Sequence, residues 1–301
     1  MKAAVYDVEG APGVLKYVDV PEPVTGPDDI LISVEAISIE GGDLINRRST
    51  PPLPSWIVGY AAAGTVVAVG SKVRSRTVGD RVAAFHMQGS HAERWAVPAE
   101  RTWLIPDGVG MAEAAALPIS FGTAHHCLFT RGMLRQGETV LIQAAAGGVG
   151  LAAVQLASQA GATVIAVVSG TQRRGRLREL GADHVVDRTK DNIVDSVRQY
   201  THGTGVDLVI DPVGTTLPVS LSALAPEGRL VFVGNAGGNS LTVDLWPAMQ
   251  SNQTLMGVFM GPLFTRHGVR TSVDEMLQAV AAGRVTVVID RIFPLANAAA
   301  A

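Results

Sequence analysis

Cysteine is nearly missing from this chain. Cys127 stands alone among 301 residues, so neither a disulfide framework nor a cysteine-rich zinc site can be assembled. No apolar run is long and pure enough to span a bilayer. The opening MKAAVYDVEG lacks a signal-peptide layout. The expectation is therefore a soluble cytoplasmic protein with no membrane partner. An excess of positive charge is missing too. Lys and Arg number 24 against 27 Asp and Glu, for a net charge of −3. No basic-aromatic stripe is present either, so nucleic acid is not an expected partner. What the chain does have is apolar content. It is 47% hydrophobic and 17% charged, enough for a sizeable core in two domains or one large one.

The first hundred residues read as all β. Short apolar or alternating runs lie at 3–6, 15–20, 30–36, 64–69, 81–85 and 92–97. Turn signals such as Pro21-Glu22-Pro23 and Val78-Gly79-Asp80 separate them. Such spacing suggests a small barrel-like domain. Residues 38–60, SIEGGDLINRRSTPPLPSWIVGY, are rich in proline, glycine and polar groups and read as a long functional loop region. From Ala112 the pattern alternates. Helices are expected at 112–117, 121–132, 172–180, 192–200 and 272–282. Strands are expected at 139–143, 163–168, 185–186, 206–211, 229–234, 254–258 and 285–289. Strands alternating with helices give a doubly wound parallel sheet.

The most informative stretch is TVLIQAAAGGVG, residues 139–150. A β-branched strand runs into Ala145, Gly147, Gly148, Val149 and Gly150, and then into LAAVQLASQAGA, an apolar helix closed by Gly161. The spacing is G-x-G-x-x-G with Ala145 in the first place. Such glycines let backbone approach a pyrophosphate, whose charge the helix N-terminus stabilises. About 20 residues on, NAD-type domains carry an acid for the ribose hydroxyls. Here the sequence is Val168-Ser169-Gly170-Thr171-Gln172-Arg173-Arg174, with no acid. Ser169 and Gly170 leave room for a 2′-phosphate, and Arg173 or Arg174 offers a planar fork to hold it. A solvated helix face is the other reading, since Arg176 and Arg178 are also basic. NADPH is the expected cofactor.

Six stretches together resemble the zinc-independent quinone oxidoreductase branch of the medium-chain dehydrogenase/reductase superfamily. They are GYAAAGTVVAVG (59–70), VGDRV (78–82), AAALPISFGT (114–123), QAAAGGVG (143–150), LGADHVVD (180–187) and DLVIDPVG (207–214). The resemblance runs the whole length. It implies an α/β protein with an N-terminal GroES-like β-barrel domain over 1–116, rejoined by 271–301. A Rossmann domain over 117–270 would bind NADPH, and the active site would lie in the cleft between the two. By position it implies that Thr123 and the glycine turn line the phosphates. Asn235 and the backbone of Val258, Phe259 and Met260 would face the ribose and nicotinamide, with Gly214 packed under the dinucleotide. Arg173 falls at the family's phosphate-binding lysine, and Arg188 falls where relatives place a tyrosine near the same phosphate. The family also implies a homodimer through 254–260, an apolar run at a sheet edge. Its members continue past the terminal alanines into a helix and a closing strand.

The chain departs from the zinc enzymes. Where they carry a cysteine three residues before the loop aspartate, Glu40 precedes Asp43. Where they carry His-Glu after the glycine, Tyr60-Ala61 follow Gly59. Glu40 also departs from the asparagine common in quinone reductases. Among Glu40, Asp43, His86, His91, His125 and His126, none shows a recognised metal-ligand spacing. A Glu40/Asp43 cation pair is conceivable, but an ion pair of Asp43 with Arg47, four residues on in a short helix, is the expectation. No metal is expected.

Without zinc, charge developing on an acceptor must meet a proton donor, a hydrogen bond or water. The candidates are Tyr60, Asn46 and Arg47, with Glu40 if protonated and Asp43 beside it. Asp211 reads as a turn or cap residue. A quinone asks little, since the phenolate formed takes its proton from solvent. The leading expectation is hydride transfer from NADPH to quinones or activated alkenes. An enoyl reductase of a lipid or polyketide pathway shares the same features. A structural or RNA-binding nucleotide module is the reading from another class, and the net acidity counts against RNA.

Overall fold

The computed structural model describes residues 1–49, 51–52, 56–238 and 241–301. The chain divides into two compact units. The first comprises Met1–Ile119 and Gly261–Ala301, the second Ser120–Met260.

The first unit begins with the strands β1 (Lys2–Val5) and β2 (Lys16–Asp19), an antiparallel pair. β3 (Asp29–Ser38), α1 (Gly41–Ser49), β4 (Ala61–Val69), β5 (Arg81–Phe85), β6 (Arg94–Pro98) and β7 (Thr102–Leu104) follow. β3 to β7 form a five-stranded sheet in the order β6-β3-β4-β5-β7, with every pairing antiparallel. Ile30, Ile32, Val66, Val82, Trp95 and Val97 fill its core. The later segment 261–301 returns to this unit. Its Phe264 ring lies 4.3 Å from Phe85 and meets Trp103 edge-on.

α2 (Met111–His125) leads into the second unit, which holds β8 (Thr139–Ile142), α3 (Gly148–Gln159), β9 (Thr163–Val168), α4 (Arg174–Glu179) and β10 (His184–Asp187). Then come α5 (Ile193–Tyr200), β11 (Val206–Asp211), α6 (Leu217–Ala223), β12 (Leu224–Phe232), α7 (Trp246–Gln250) and β13 (Thr254–Gly257). α8 (His267–Ala281) belongs to the first unit again. The sheet is parallel in the order β10-β9-β8-β11-β12-β13. This is the doubly wound order, with the switch point between β8 and β11. Val140, Leu141 and Ile142 are fully buried, as a central parallel strand covered on both faces must be.

Some expectations change in detail and some need correction. Within 38–60, the short helix expected around Asp43 and Arg47 is α1, while residues 50 and 53–55 lie outside the described residues. The helix expected from 112 onward is unbroken at 118–120: α2 runs through Pro118 to His125, and a π-helical turn continues to Arg131. Burial of Leu117, Phe121 and Ala124 outweighs the one backbone bond a proline removes. Residues 285–289 form no strand. Val285 and Val287 are buried there, but among the described residues no neighbouring strand pairs with them. Finally, α6 and α7 were not anticipated. Each carries a proline in its first turn, where a helix tolerates it, and a proline read from sequence alone signals a break.

Candidate active site

In the second unit, β8 ends in a sharp turn. Ala144 takes the left-handed conformation (φ +48°). The Ala145 N–H donates to the Val167 carbonyl at 2.9 Å, and the Gly147 N–H to the Ala144 carbonyl at 2.9 Å. α3 starts immediately, with Gly147 in the capping place and no side chain bonded to its first turn. Gly150 is held close beneath. A methyl group there would stand 2.5 Å from the Ala144 oxygen and 2.6 Å from the Ala145 Cα. The result is a bare helix N-terminus that suits an anion.

The loop at the end of β9 bears on cofactor choice. Ser169 is exposed and accepts a hydrogen bond from Arg188 Nε at 2.8 Å. Arg173 is exposed just before α4. Arg174 is already engaged, with Nη2 3.6 Å from Asp191. Asp187, the last residue of the neighbouring strand β10, is buried. It accepts from the Thr189 hydroxyl at 2.7 Å and from the Gly170 N–H at 2.8 Å, and these bonds hold its carboxyl below the usual range. Asp187 thus braces the turn instead of offering a carboxylate to a ribose.

Asp211 is a turn residue, as its position suggested. It is fully buried and accepts from the N–H groups of Val213 and Gly214 and from the hydroxyls of Thr216 and Ser220. Gly214, under its control, is packed against the Gly234 carbonyl. Thr123 is buried in α2. Asn235 is half-buried, Val258 likewise, Met260 is buried and Phe259 is 73% exposed.

In the first unit, α1 gathers the other candidates. The Glu40 N–H donates to Asp43 Oδ2 at 2.8 Å, and the Ser38 hydroxyl donates to Glu40 Oε1 at 2.7 Å. Burial pushes Glu40 up to about 7 and Asp43 up to about 8. The expected ion pair of Asp43 with Arg47 is not formed. Arg47 is buried and spends Nη1 on the Gly10 carbonyl at 2.6 Å, an acceptor distant in sequence that no helix-spacing argument can see. Asn46 Nδ2 donates to the Tyr60 hydroxyl. The Tyr60 ring lies over Gly42, where a side chain would collide with it. Burial pushes the Tyr60 phenol up to about 12 and the His91 imidazole down to about 4. Reading the sequence missed Gly42 and also Tyr6, whose buried hydroxyl has no partner among the described residues. The only sequence signal for Gly42 was the Gly41-Gly42 pair at the helix start.

Comparison with known proteins completes the assignment. Residues 26–120 match the alcohol dehydrogenase GroES-like domain, and residues 148–282 the zinc-binding dehydrogenase family. The quinone oxidoreductase of Pseudomonas aeruginosa is 34% identical, over 97% of this chain and 92% of that protein. The chain belongs to the quinone oxidoreductase family. It is thus an oxidoreductase of the medium-chain dehydrogenase/reductase superfamily. Two solved structures fit its backbone over all of this chain and 94% of theirs. They are the Escherichia coli quinone oxidoreductase complexed with NADPH, with a TM-score of 0.93 and 28% identity, and a mycobacterial protein complexed with NADPH, with 0.93 and 35%. The zinc in the second family's name brings no ligand set with it. Residues 148–282 hold His184, His202 and His267 and no cysteine. Among the described residues no three His, Cys, Asp or Glu side chains gather as metal ligands.

The raised pKa of Asp43 makes a prediction for this family member. Its folded value of about 8 lies above the ordinary 3.8, so the folded state holds the proton more tightly. The resulting stability is complete below pH 4 and is lost as pH rises toward 8. Asp43→Asn cannot ionise. It should gain on the wild type by at least about 1 kcal/mol between pH 5 and pH 8, read as the difference in denaturation midpoints. Equal pH slopes for the two proteins would contradict the assignment.

Proposed function

We propose that the protein is an NADPH-dependent reductase of quinones or activated alkenes that works without zinc. The observation that carries the reading is the uncapped glycine turn before α3, next in the sheet to a β9 loop that bears Ser169 and Arg173 and no acid, with Arg188 reaching Ser169 from the end of β10. The family membership supports it. NADPH, when bound, supplies a hydride. Ala145, Gly147, Gly148, Val149 and Gly150, with Thr123, receive the pyrophosphate. Gly214, Asn235, Val258, Phe259 and Met260 contact the ribose and nicotinamide. Ser169, Arg173 and Arg188 hold the 2′-phosphate, while Arg174 is restrained by Asp191. The acceptor binds beside Tyr60, Asn46 and Glu40. Asp43 and Arg47 are buried and serve to fix α1. Where zinc enzymes use a thiolate and an imidazole, this chain offers a Glu40 that burial favours as the neutral acid and a phenol. A phenol is not among zinc's usual ligands, and a carboxyl becomes one only once ionised.

Three tests follow from this reading. NADPH should bind at least about tenfold more tightly than NADH, equal to about 1.4 kcal/mol. The double variant Arg173→Ala/Arg188→Ala should lose that preference and keep its NADH affinity, as measured by fluorescence titration. A double variant that still prefers NADPH would show the arginines to be a solvated face.

NADPH oxidation should proceed with a panel of quinones, and exhaustive chelation should leave the rate unchanged. The control arms are 2-enoyl thioesters and an RNA gel shift. Turnover confined to the thioesters would make the protein an enoyl reductase. Activity lost to EDTA and restored by zinc would end the zinc-free reading.

Among the described residues β13 pairs only with β12, at one edge of the parallel sheet. Its unpaired edge and the exposed Phe259 support a homodimer through 254–260, two copies of the strand meeting antiparallel. Light scattering at micromolar concentration should give a dimer mass for the wild type and a monomer for Phe259→Asp. A monomeric wild type would refute it.

A further inference from the structure

We infer that Tyr60 is the hydrogen-bond donor to the acceptor's oxygen, and that Asn46 is the positioning residue that keeps its hydrogen free for that purpose. This rests on the reductase reading above. A phenol hydroxyl carries one hydrogen and accepts through its oxygen lone pairs. The amide Nδ2 of Asn46 donates to that oxygen. An amide nitrogen cannot take the phenol hydrogen in return, so the hydrogen must point elsewhere. Among the described residues no acceptor claims it.

The seat for the ring is built from one helix face. Gly42 and Asn46 are four residues apart in α1, so they lie one above the other. Gly42 gives the ring room, since any side chain there would meet Cε2 of Tyr60. Asn46, one turn later, meets the hydroxyl. The ring is thus held at both ends, half-buried, beside Phe85. The charged or titratable groups that bear on the phenol are Asp43 and Tyr6, and both disfavour the phenolate, as burial does. The phenol therefore keeps its proton at neutral pH, and Tyr60 acts by hydrogen bonding and not as an acid.

The balance of the step follows. The acceptor gains one hydrogen and two electrons as hydride. Its oxygen becomes an anion, which the Tyr60 O–H stabilises where the charge develops. A proton from water completes the reduction, and Tyr60 ends as it began.

The decisive variant is Asn46→Asp. It is nearly isosteric, but a carboxylate accepts where the amide donated. It would capture the Tyr60 hydrogen and leave the acceptor's oxygen without it. Two readouts apply to wild type, Y60F, N46D and N46A. One is kcat/KM with a quinone. The other needs no turnover: the ionisation of p-nitrophenol bound to the NADP⁺-loaded protein, followed by its phenolate absorbance. In the wild type the bound phenol should ionise about one pH unit below the free one, a tenfold shift in its equilibrium. Y60F and N46D should both lose the shift and lose roughly tenfold or more in kcat/KM. N46A, which leaves the hydroxyl free to rotate, should fall between. The inference is overturned if Y60F keeps the shift and the rate, or if N46D keeps both while Y60F loses them. Should N46D fail to fold, wild-type behaviour in N46A overturns it equally. A wild type that shifts the phenol but reduces no quinone would sink the reductase reading and leave the donor assignment standing. Quinone turnover without any phenol shift would do the reverse.

Discussion

The second unit depends on one close approach. Gly150 brings α3 against the end of β8 so tightly that a methyl group would overlap the Ala144 carbonyl and the Ala145 backbone. That contact forces the turn to close in three residues, with Ala144 left-handed. It also fixes the direction in which the first turn of α3 points. β8 is central, hydrogen-bonded to β9 on one side and β11 on the other. The sheet order reverses beside it, and such a switch point is where open α/β sheets hold ligands. The bare N–H groups of the helix therefore stand at the one place the topology leaves open. Side chains contribute little to this site, because backbone geometry makes it.

That is why the strand, glycine turn and helix could be read from the sequence and much else could not. A backbone site needs glycine at fixed spacing, and Gly147 and Gly150 carry that record in the letters themselves. The buried parallel strands were equally plain, since Val140, Leu141 and Ile142 have no polar face to hide. Burial read from sequence does not give pairing, however. Residues 285–289 were apolar enough for a strand, yet Val285 and Val287 are buried with no ladder among the described residues. The short helices α6 and α7 were masked by Pro218 and Pro247, residues that break a helix interior and are harmless in its first turn.

Side-chain sites leave a fainter trace. The partner of Arg47 is the carbonyl of Gly10, 37 positions away, and no periodicity predicts such a contact. Nor does Gly42 announce that its missing side chain makes room for Tyr60, 18 residues later in the chain. These relations exist only once β3, α1 and β4 are folded together. Asp187 gives the mirror case. In the letters it is an acid like any other. In the fold it is consumed by Thr189 and Gly170, so it braces the turn that presents Ser169 and Arg188.

The polar groups around α1 share one electrostatic character. Burial favours the neutral form of each: Glu40 near 7, Asp43 near 8, the Tyr60 phenol near 12 and the His91 imidazole near 4. Arg47 remains a cation, but its guanidinium is spent in part on a backbone carbonyl. The region therefore offers hydrogen bonds in place of fixed charge. A metal-centred site works the other way, drawing an acceptor's oxygen with a cation held by ionised ligands. Here Glu40 and Tyr60 stand where the resemblance places a thiolate and an imidazole in zinc enzymes, and burial favours the neutral form of both. The acceptor proposed above, a neutral quinone, would meet little desolvation cost beside such groups. Under the proposed role of Tyr60, its hydrogen would act only on charge that appears after binding, and that is what reducing a quinone demands.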